Sequence, residues 1–186
     1  MLEKHDFEKI RKQLTAFEEK REETIQLARE VIAVSKQIIY GVHRNDLGNA
    51  EKALIKIKNL VKKIDPVRDY ETGMGVVALQ EFVEAVCFFE IVKKKRIPNA
   101  DECGVPVQAY LMGLCDLTGE LGRKAVHDAI KKDYSSVMLM RDVIEEIYGE
   151  FLMIDLRNGE LRKKSDAIKW NLNKVEDMIF SIKLKE

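Results

Sequence analysis

Two stretches place acids where helices are otherwise apolar. The first is Val76-Val77-Ala78-Leu79-Gln80-Glu81-Phe82-Val83-Glu84-Ala85-Val86-Cys87-Phe88-Phe89. It is hydrophobic around nearly its whole circumference, which predicts a deeply buried helix. Glu81 and Glu84 lie in its middle at i and i+3, so they share a face. Val77 and Ala85 neighbour Glu81 there, and Phe88 neighbours Glu84. A carboxylate pair in such surroundings is costly unless a cation or hydrogen-bond donors offset it. An Arg or Lys from another helix would do so as a buried ion pair, and so would a metal ion.

The second stretch is Tyr110-Leu111-Met112-Gly113-Leu114-Cys115-Asp116-Leu117-Thr118-Gly119-Glu120-Leu121. Asp116 and Glu120 stand at i and i+4, again on one face. Gly113 and Gly119 each cost a helix interior about 1 kcal/mol relative to Ala. That cost is easiest to understand if another helix or a ligand approaches closely. Glu120 has a second reading, as a partner of Arg123 or Lys124 along its own helix. If the two helices pack side by side, up to four carboxylates converge. Hard Mg²⁺ or Mn²⁺ takes such oxygen ligands and usually keeps several waters.

Other chemistries find less support. His5, His43 and His127 form no Glu-x-x-His pattern of the kind di-iron bundles use, and are expected at the surface or in structural positions. Cys87, Cys103 and Cys115 form no CxxC, which excludes a zinc site and fits a reduced, cytoplasmic setting. They read as core residues, since no His is placed to activate them. No Walker loop and no GxGxxG occurs. Trp170 and Tyr110 read as packing residues.

The elements that must position the acids follow from periodicity. Phe7, Ile10, Leu14, Phe17, Ala28, Val31, Ile38 and Val42 recur at helical steps, which predicts one very long helix over about residues 7–42. Its stripe needs the rest of the domain or another subunit to cover it. Asn45-Asp46 supplies a turn and an N-cap for a second helix over 47–64, stopped by Asp65-Pro66. Further helices are expected over about 72–95 and 106–132, then one after the turn at Asp133-Tyr134-Ser135 to about 155, and a last one over 160–183. Pro98, Asp133-Tyr134-Ser135 and Asn158-Gly159 mark breaks between them. No segment alternates as a strand would. The expected fold is all-α: a single-domain antiparallel bundle of six to seven helices with short connections over residues 1–186.

Composition agrees with a globular chain, 46 % apolar and 34 % charged. No apolar run approaches a membrane span, and Met1-Leu2-Glu3-Lys4-His5-Asp6 opens no secretory signal. The formal net charge is zero, so any nucleic-acid surface requires locally concentrated cations. Lys93-Lys94-Lys95-Arg96 and Arg123-Lys124 are the leading candidates for phosphate contacts. Lys62-Lys63, Arg68, Lys131-Lys132 and Arg162-Lys163-Lys164 are further ones. The first cluster also suits a helix C-terminus, where cations meet the dipole.

These motifs resemble the translin/trax family. Ala78-Leu79-Gln80-Glu81-Phe82-Val83-Glu84-Ala85 is similar to the ALQEYVEA-type stretch of trax. Tyr110-Leu111 through Asp116-Leu117-Thr118-Gly119-Glu120-Leu121 is similar to its YLLGVADLTGEL stretch. Leu27-Ala28-Arg29-Glu30 and Ser35-Lys36 resemble the family's long first helix. The run from Leu156-Arg157-Asn158-Gly159-Glu160-Leu161-Arg162-Lys163-Lys164 onward is nearer to translin. The resemblance implies a helical protomer and a hollow oligomer, an octamer, that binds single-stranded RNA or DNA. It implies a prokaryotic-type homolog in which one chain serves both as shell and as enzyme. It further implies an Mg²⁺-dependent endoribonuclease, with Mn²⁺ as a substitute. Glu81, Glu84 and Asp116 would be its catalytic, metal-binding acids and Glu120 an additional one. A non-catalytic single-stranded nucleic-acid binder, as translin suggests, is the rival expectation, and a helical scaffold for other proteins is a third.

Overall fold

The computed structural model describes residues 4–65 and 70–184. The expected stop at Pro66 and the cation Arg68 lie outside the described residues. Among those described, seven helices and no strand occur: α1 (Lys4–His43), α2 (Leu47–Val61), α3 (Met74–Lys94), α4 (Ala100–Cys103), α5 (Val107–Ile130), α6 (Tyr134–Leu152) and α7 (Glu160–Lys183). None is long and apolar enough to cross a membrane.

The long first helix is a single element of 40 residues, about 60 Å at ~1.5 Å per residue. Its second half buries Ala28, Val31, Val34, Ser35, Ile38, Val42 and His43. Its first third leaves Phe7, Ile10 and Leu14 exposed. The stripe is thus continuous in sequence but covered only in part within one protomer.

Local chemistry sets the other boundaries. Asp46 caps α2 by accepting from the Asn49 amide, and Asp133 caps α6 by accepting from the Ser136 amide, as the side-chain oxygens at such positions do. The short α4 has no counterpart in the sequence expectation. It is held by a reciprocal capping box in which Asn99 and Glu102 each accept from the other's backbone amide. Four residues carry no periodicity, so only that box announces it. Helices α2 and α6 end three residues earlier than expected, at Val61 and Leu152. Tyr110 packs as expected, its hydroxyl donating to the Pro98 carbonyl at 3.0 Å. Trp170 does not: it lies exposed on the outer face of α7.

Helix α3 is central. It packs against α1 on one side and α5 on another, with α2 in lighter contact, while α5 also packs against α6 and α7. Being surrounded explains why α3 is apolar all round; every residue from Phe82 to Ile91 is buried. The closest approach of α3 to α5 is at Gly113. A Cβ there would lie 2.7 Å from Val83 Cβ and 2.8 Å from the Gln80 carbonyl oxygen. No rotamer change clears a backbone oxygen, so any side chain must push the helices apart. Gly119 has no such role, since a Cβ there would meet nothing nearer than Asn171 at 3.9 Å.

Gly113→Ala therefore sets a small gain in helix propensity against overpacking. The variant is expected to be less stable by about 1–3 kcal/mol, measured by urea unfolding. An unchanged or higher stability would mean that α3 and α5 can separate freely.

Candidate active site

The contact at Gly113 lies between the two acid motifs and sets them face to face. Glu81 and Glu84 come from α3, and Asp116 and Glu120 from α5. Lys36, Ile39 and Tyr40 of α1 and Arg123 of α5 close a pocket of about 360 Å³ over Glu81, Glu84 and Glu120. Asp116 stands behind this pocket, where Lys164 of α7 pairs with it. The Lys164 ammonium also donates to Gln80 Oε1 at 3.3 Å.

The four carboxylates feel one another, and their surroundings divide them into two pairs. Glu84 is 9 % exposed and makes no hydrogen bond or ion pair among the described residues. Burial first, then the charges of Asp116, Glu81 and Glu120, push its carboxyl up to about 8. Glu81 is also raised, by burial first, with Lys36 opposing. Glu120 moves the other way. The hydrogen bond from His43 Nε2 lowers it most, and Arg123, at 3.6 Å, adds to this. Asp116 has its partner in Lys164. The inner pair, Glu81 and Glu84, is thus left without a direct counter-ion, and the outer pair has one each.

His43 went unrecognised in the sequence as a site residue. Its ring is buried between Phe88 and His127, with centroids 4.9 and 5.4 Å away. Its Nδ1 has no partner, so the Nε2–H tautomer that donates to Glu120 is the one this environment supports. His43 ends the buried stripe of α1, one residue beyond Val42; its partner is 77 residues away in sequence. Lys164 stood in the sequence only as one of three adjacent cations. The structure separates it from Arg162 and Lys163, whose partners are Asp166 and Glu160 on their own helix. His5 is exposed, and all three cysteines are buried free thiols.

The proposed phosphate contacts also separate. Arg123 lines the acid pocket. Lys124 instead pairs with Asp128. Lys93 pairs with Glu51, Lys94 with Glu90, and Arg96 with Glu102. Lys95 closes α3 in a left-handed conformation. That cluster lies about 15 Å along α3 from Glu84, at ~1.5 Å per residue.

Among the described residues, no three His, Cys, Asp or Glu side chains stand close enough to form a ready-made metal cage. The donor set nonetheless suits a hard divalent cation. It is all carboxylate oxygen, half of it lacks a counter-ion, and one member is held up near 8 by burial first and then by its neighbours' charges. Glu120 is oriented by His43, the kind of outer partner that fixes ligating carboxylates. A cation at this place would offset the burial and the repulsion that together raise Glu84.

The charge state of Glu84 has a measurable consequence. In the unfolded chain its carboxyl ionises near 4.5, and in the folded protein near 8. Between these values the folded state holds a proton that the unfolded state has lost. The resulting stability is full below pH 4.5 and is lost as pH rises through 8. In chelator, the wild type should lose on the order of a few kcal/mol across that window. Glu84→Gln, always neutral, should flatten the slope. Parallel slopes for the two proteins in pH-dependent melts would refute this account of Glu84.

Comparison with known proteins places this arrangement. A profile of the Translin family matches residues 19–186. An uncharacterized protein of Methanocaldococcus jannaschii is 31 % identical over 178 residues, which is 89 % of this chain and 79 % of that one. Translin-associated protein X of Pongo abelii is 25 % identical over 226 residues, covering 96 % of this chain and 78 % of its own length. Human translin is 32 % identical over a shorter stretch of 79 residues, 42 % of this chain and 35 % of translin. The crystal structure of apo-NeC3PO superposes with a TM-score of 0.87 at 31 % identity, covering 97 % of both chains. AfC3PO in complex with duplex RNA superposes with a TM-score of 0.85 at 27 % identity, covering 97 % of this chain and 98 % of that one. Agreement over nearly the whole length, in sequence and in backbone, means that the chain belongs to the Translin family.

Proposed function

We propose that this protein is a divalent-cation-dependent endoribonuclease, working on RNA inside a homo-oligomeric shell. The observation that carries this reading is Glu84. It is a buried carboxylate with no hydrogen-bond or ion-pair partner among the described residues, lining a pocket with Glu81 and Glu120 and under the field of Asp116. A structural ion pair would have supplied a cation there, and the described residues place none in contact with it. The similarity to AfC3PO, which has been seen with duplex RNA, and the trax-like acid motifs support RNA as the substrate class. Single-stranded RNA follows from the family resemblance, and the duplex in AfC3PO makes the paired form the natural comparison.

Glu81, Glu84 and Asp116 would hold Mg²⁺ or Mn²⁺, with Glu120 as a further acid braced by His43 and Arg123. Bound there, the ion would acidify a water and take up charge on the phosphate. The chain's own contribution is positional. Burial keeps competing water away from Glu84. Lys36 and Arg123 at the pocket wall offer cations to the backbone of an incoming strand. The exposed Phe7, Ile10 and Leu14 of α1 are an apolar stripe that a second copy would cover. We take the assembly to be an octamer on family grounds.

The test uses labelled RNA, single-stranded and duplex, with Mg²⁺ or with chelator. The wild type should cut only with the metal. Glu81→Ala, Glu84→Ala and Asp116→Ala should each lose more than about a hundredfold in rate, since each removes a metal-binding acid. Light scattering should show the same large assembly for all four proteins. In chelator, Glu81→Ala should melt at or above the wild-type temperature, and Glu84→Ala should do so above about pH 8, where its carboxyl is ionised, because each then removes a repelling charge. Asp116→Ala frees a part-exposed Lys164 and should lose no more than ~1 kcal/mol. Cleavage that persists in chelator would remove the metal. RNA binding with no cleavage under either condition would establish the rival reading, a non-catalytic binder.

A further inference from the structure

Among the described residues, Lys164 is the cation from outside α3 and α5 that makes a direct ion pair with the acid cluster; Lys36 of α1 lines the pocket without such a pair. It comes from α7 and pairs with Asp116, 48 residues away in sequence. Its neighbours Arg162 and Lys163 are taken up by acids on α7 itself. Two features make the contact more than a bolt between helices. The Lys164 and Asp116 side chains are each about a third exposed, 32 % and 35 %, so the ammonium can leave into solvent without becoming a buried charge. Its second partner, the Gln80 carbonyl oxygen, belongs to a side chain only 5 % exposed, which fixes that end of the contact.

We propose that Lys164 is a displaceable counter-ion: it neutralises Asp116 until a divalent cation enters, and then turns to a phosphate of the bound RNA. The inference rests on the function proposed above. One ammonium serves one of four acids and leaves Glu81 and Glu84 without a counter-ion, so the cluster still draws a cation of higher charge. That ion and Lys164 compete for the same carboxylate, and the divalent ion, with Glu81 and Glu84 as added ligands, wins. Lys164 then stays beside the cluster, because Gln80 retains one of its three N–H donors. A phosphate drawn to the metal brings negative charge next to an ammonium that has just lost its partner. Pairing the two stabilises bound RNA and the charge that builds on the phosphate during cleavage.

The competition has a sign that a purely structural salt bridge lacks. Removing Lys164 should tighten metal binding and slow cleavage at once. The measurement is Mn²⁺ titration by calorimetry on RNA-free protein, with cleavage assays beside it, for wild type, Lys164→Met and Lys164→Arg. Lys164→Met should bind Mn²⁺ roughly three- to tenfold more tightly, the range a part-exposed ion pair commands. Its melting temperature should also rise more on adding Mn²⁺ than that of the wild type. Its kcat for RNA should fall about tenfold or more, as expected when a charge-stabilising donor is lost. Lys164→Arg should restore near-wild-type Mn²⁺ affinity and much of the cleavage. Mn²⁺ affinity in Lys164→Met that is unchanged or weaker overturns the counter-ion role, and an unchanged kcat overturns the phosphate role. If Lys164→Met melts too low to assay, Lys164→Gln is put through the same titration and read the same way. A wild type that neither binds Mn²⁺ nor cuts RNA overturns the proposed function itself, and this inference with it.

Discussion

Repulsion among four carboxylates on two facing helices is the constraint that the rest of this region answers. Two unit charges about 4 Å apart repel by roughly 4 kcal/mol at an effective dielectric constant of ~20. That scale exceeds the ~1 kcal/mol that a glycine costs a helix. Apolar burial of α3 must therefore hold the acids together against a force that tends to part the helices. The surrounded position of α3 supplies it, with Phe82, Val83, Phe88 and Phe89 all buried. The missing side chain at Gly113 lets α5 come close enough for both motifs to share one space.

The repulsion is met unequally. His43 and Arg123 restrain Glu120, and Lys164 restrains Asp116. Among the described residues no ion pair restrains Glu81 or Glu84, and at Glu81 the charges of Lys36 and, less, Lys164 oppose the rise without contact. A fold selected for stability alone would have paired the inner acids too, or replaced them by apolar residues of similar size at little cost. The tension left at the inner pair is what a metal ion would relieve, and it marks the pocket as a place where something binds.

Much of this was legible in the sequence, and the rest was hidden for identifiable reasons. The acid pairs stood out because their i, i+3 and i, i+4 spacing fell inside otherwise apolar helices. The starts of α6 and α7 followed from the breaks at Asp133-Tyr134-Ser135 and Asn158-Gly159. Gly113 could be read as a close approach; Gly119, with the same sequence argument, turned out to leave room for a side chain beside Asn171. What stayed hidden were contacts between residues far apart in the chain. Nothing local tells His43 from a surface histidine, or Lys164 from Lys163. The run Lys93 to Arg96 misled in the opposite sense: its charges looked available in sequence, but Glu51, Glu90 and Glu102 answer three of them in space.

That last pairing bears on how a chain of zero net charge attracts a polyanion. Its cations are matched in number by acids, several are paired with acids directly, and salt screens the remainder beyond ~8–10 Å. Long-range steering is therefore weak, and attraction must come from the few cations left near the acids. Lys36 and Arg123 stand at the pocket wall and Lys164 behind it. In the metal-free protein at neutral pH, with Glu84 held protonated, these three face no more than three carboxylate charges, so the site offers RNA little net attraction. A divalent ion shifts that balance by two charges, enough to turn the local field positive. On this arithmetic the metal decides whether the strand is admitted as well as whether it is cut, and binding and chemistry depend on the same ion.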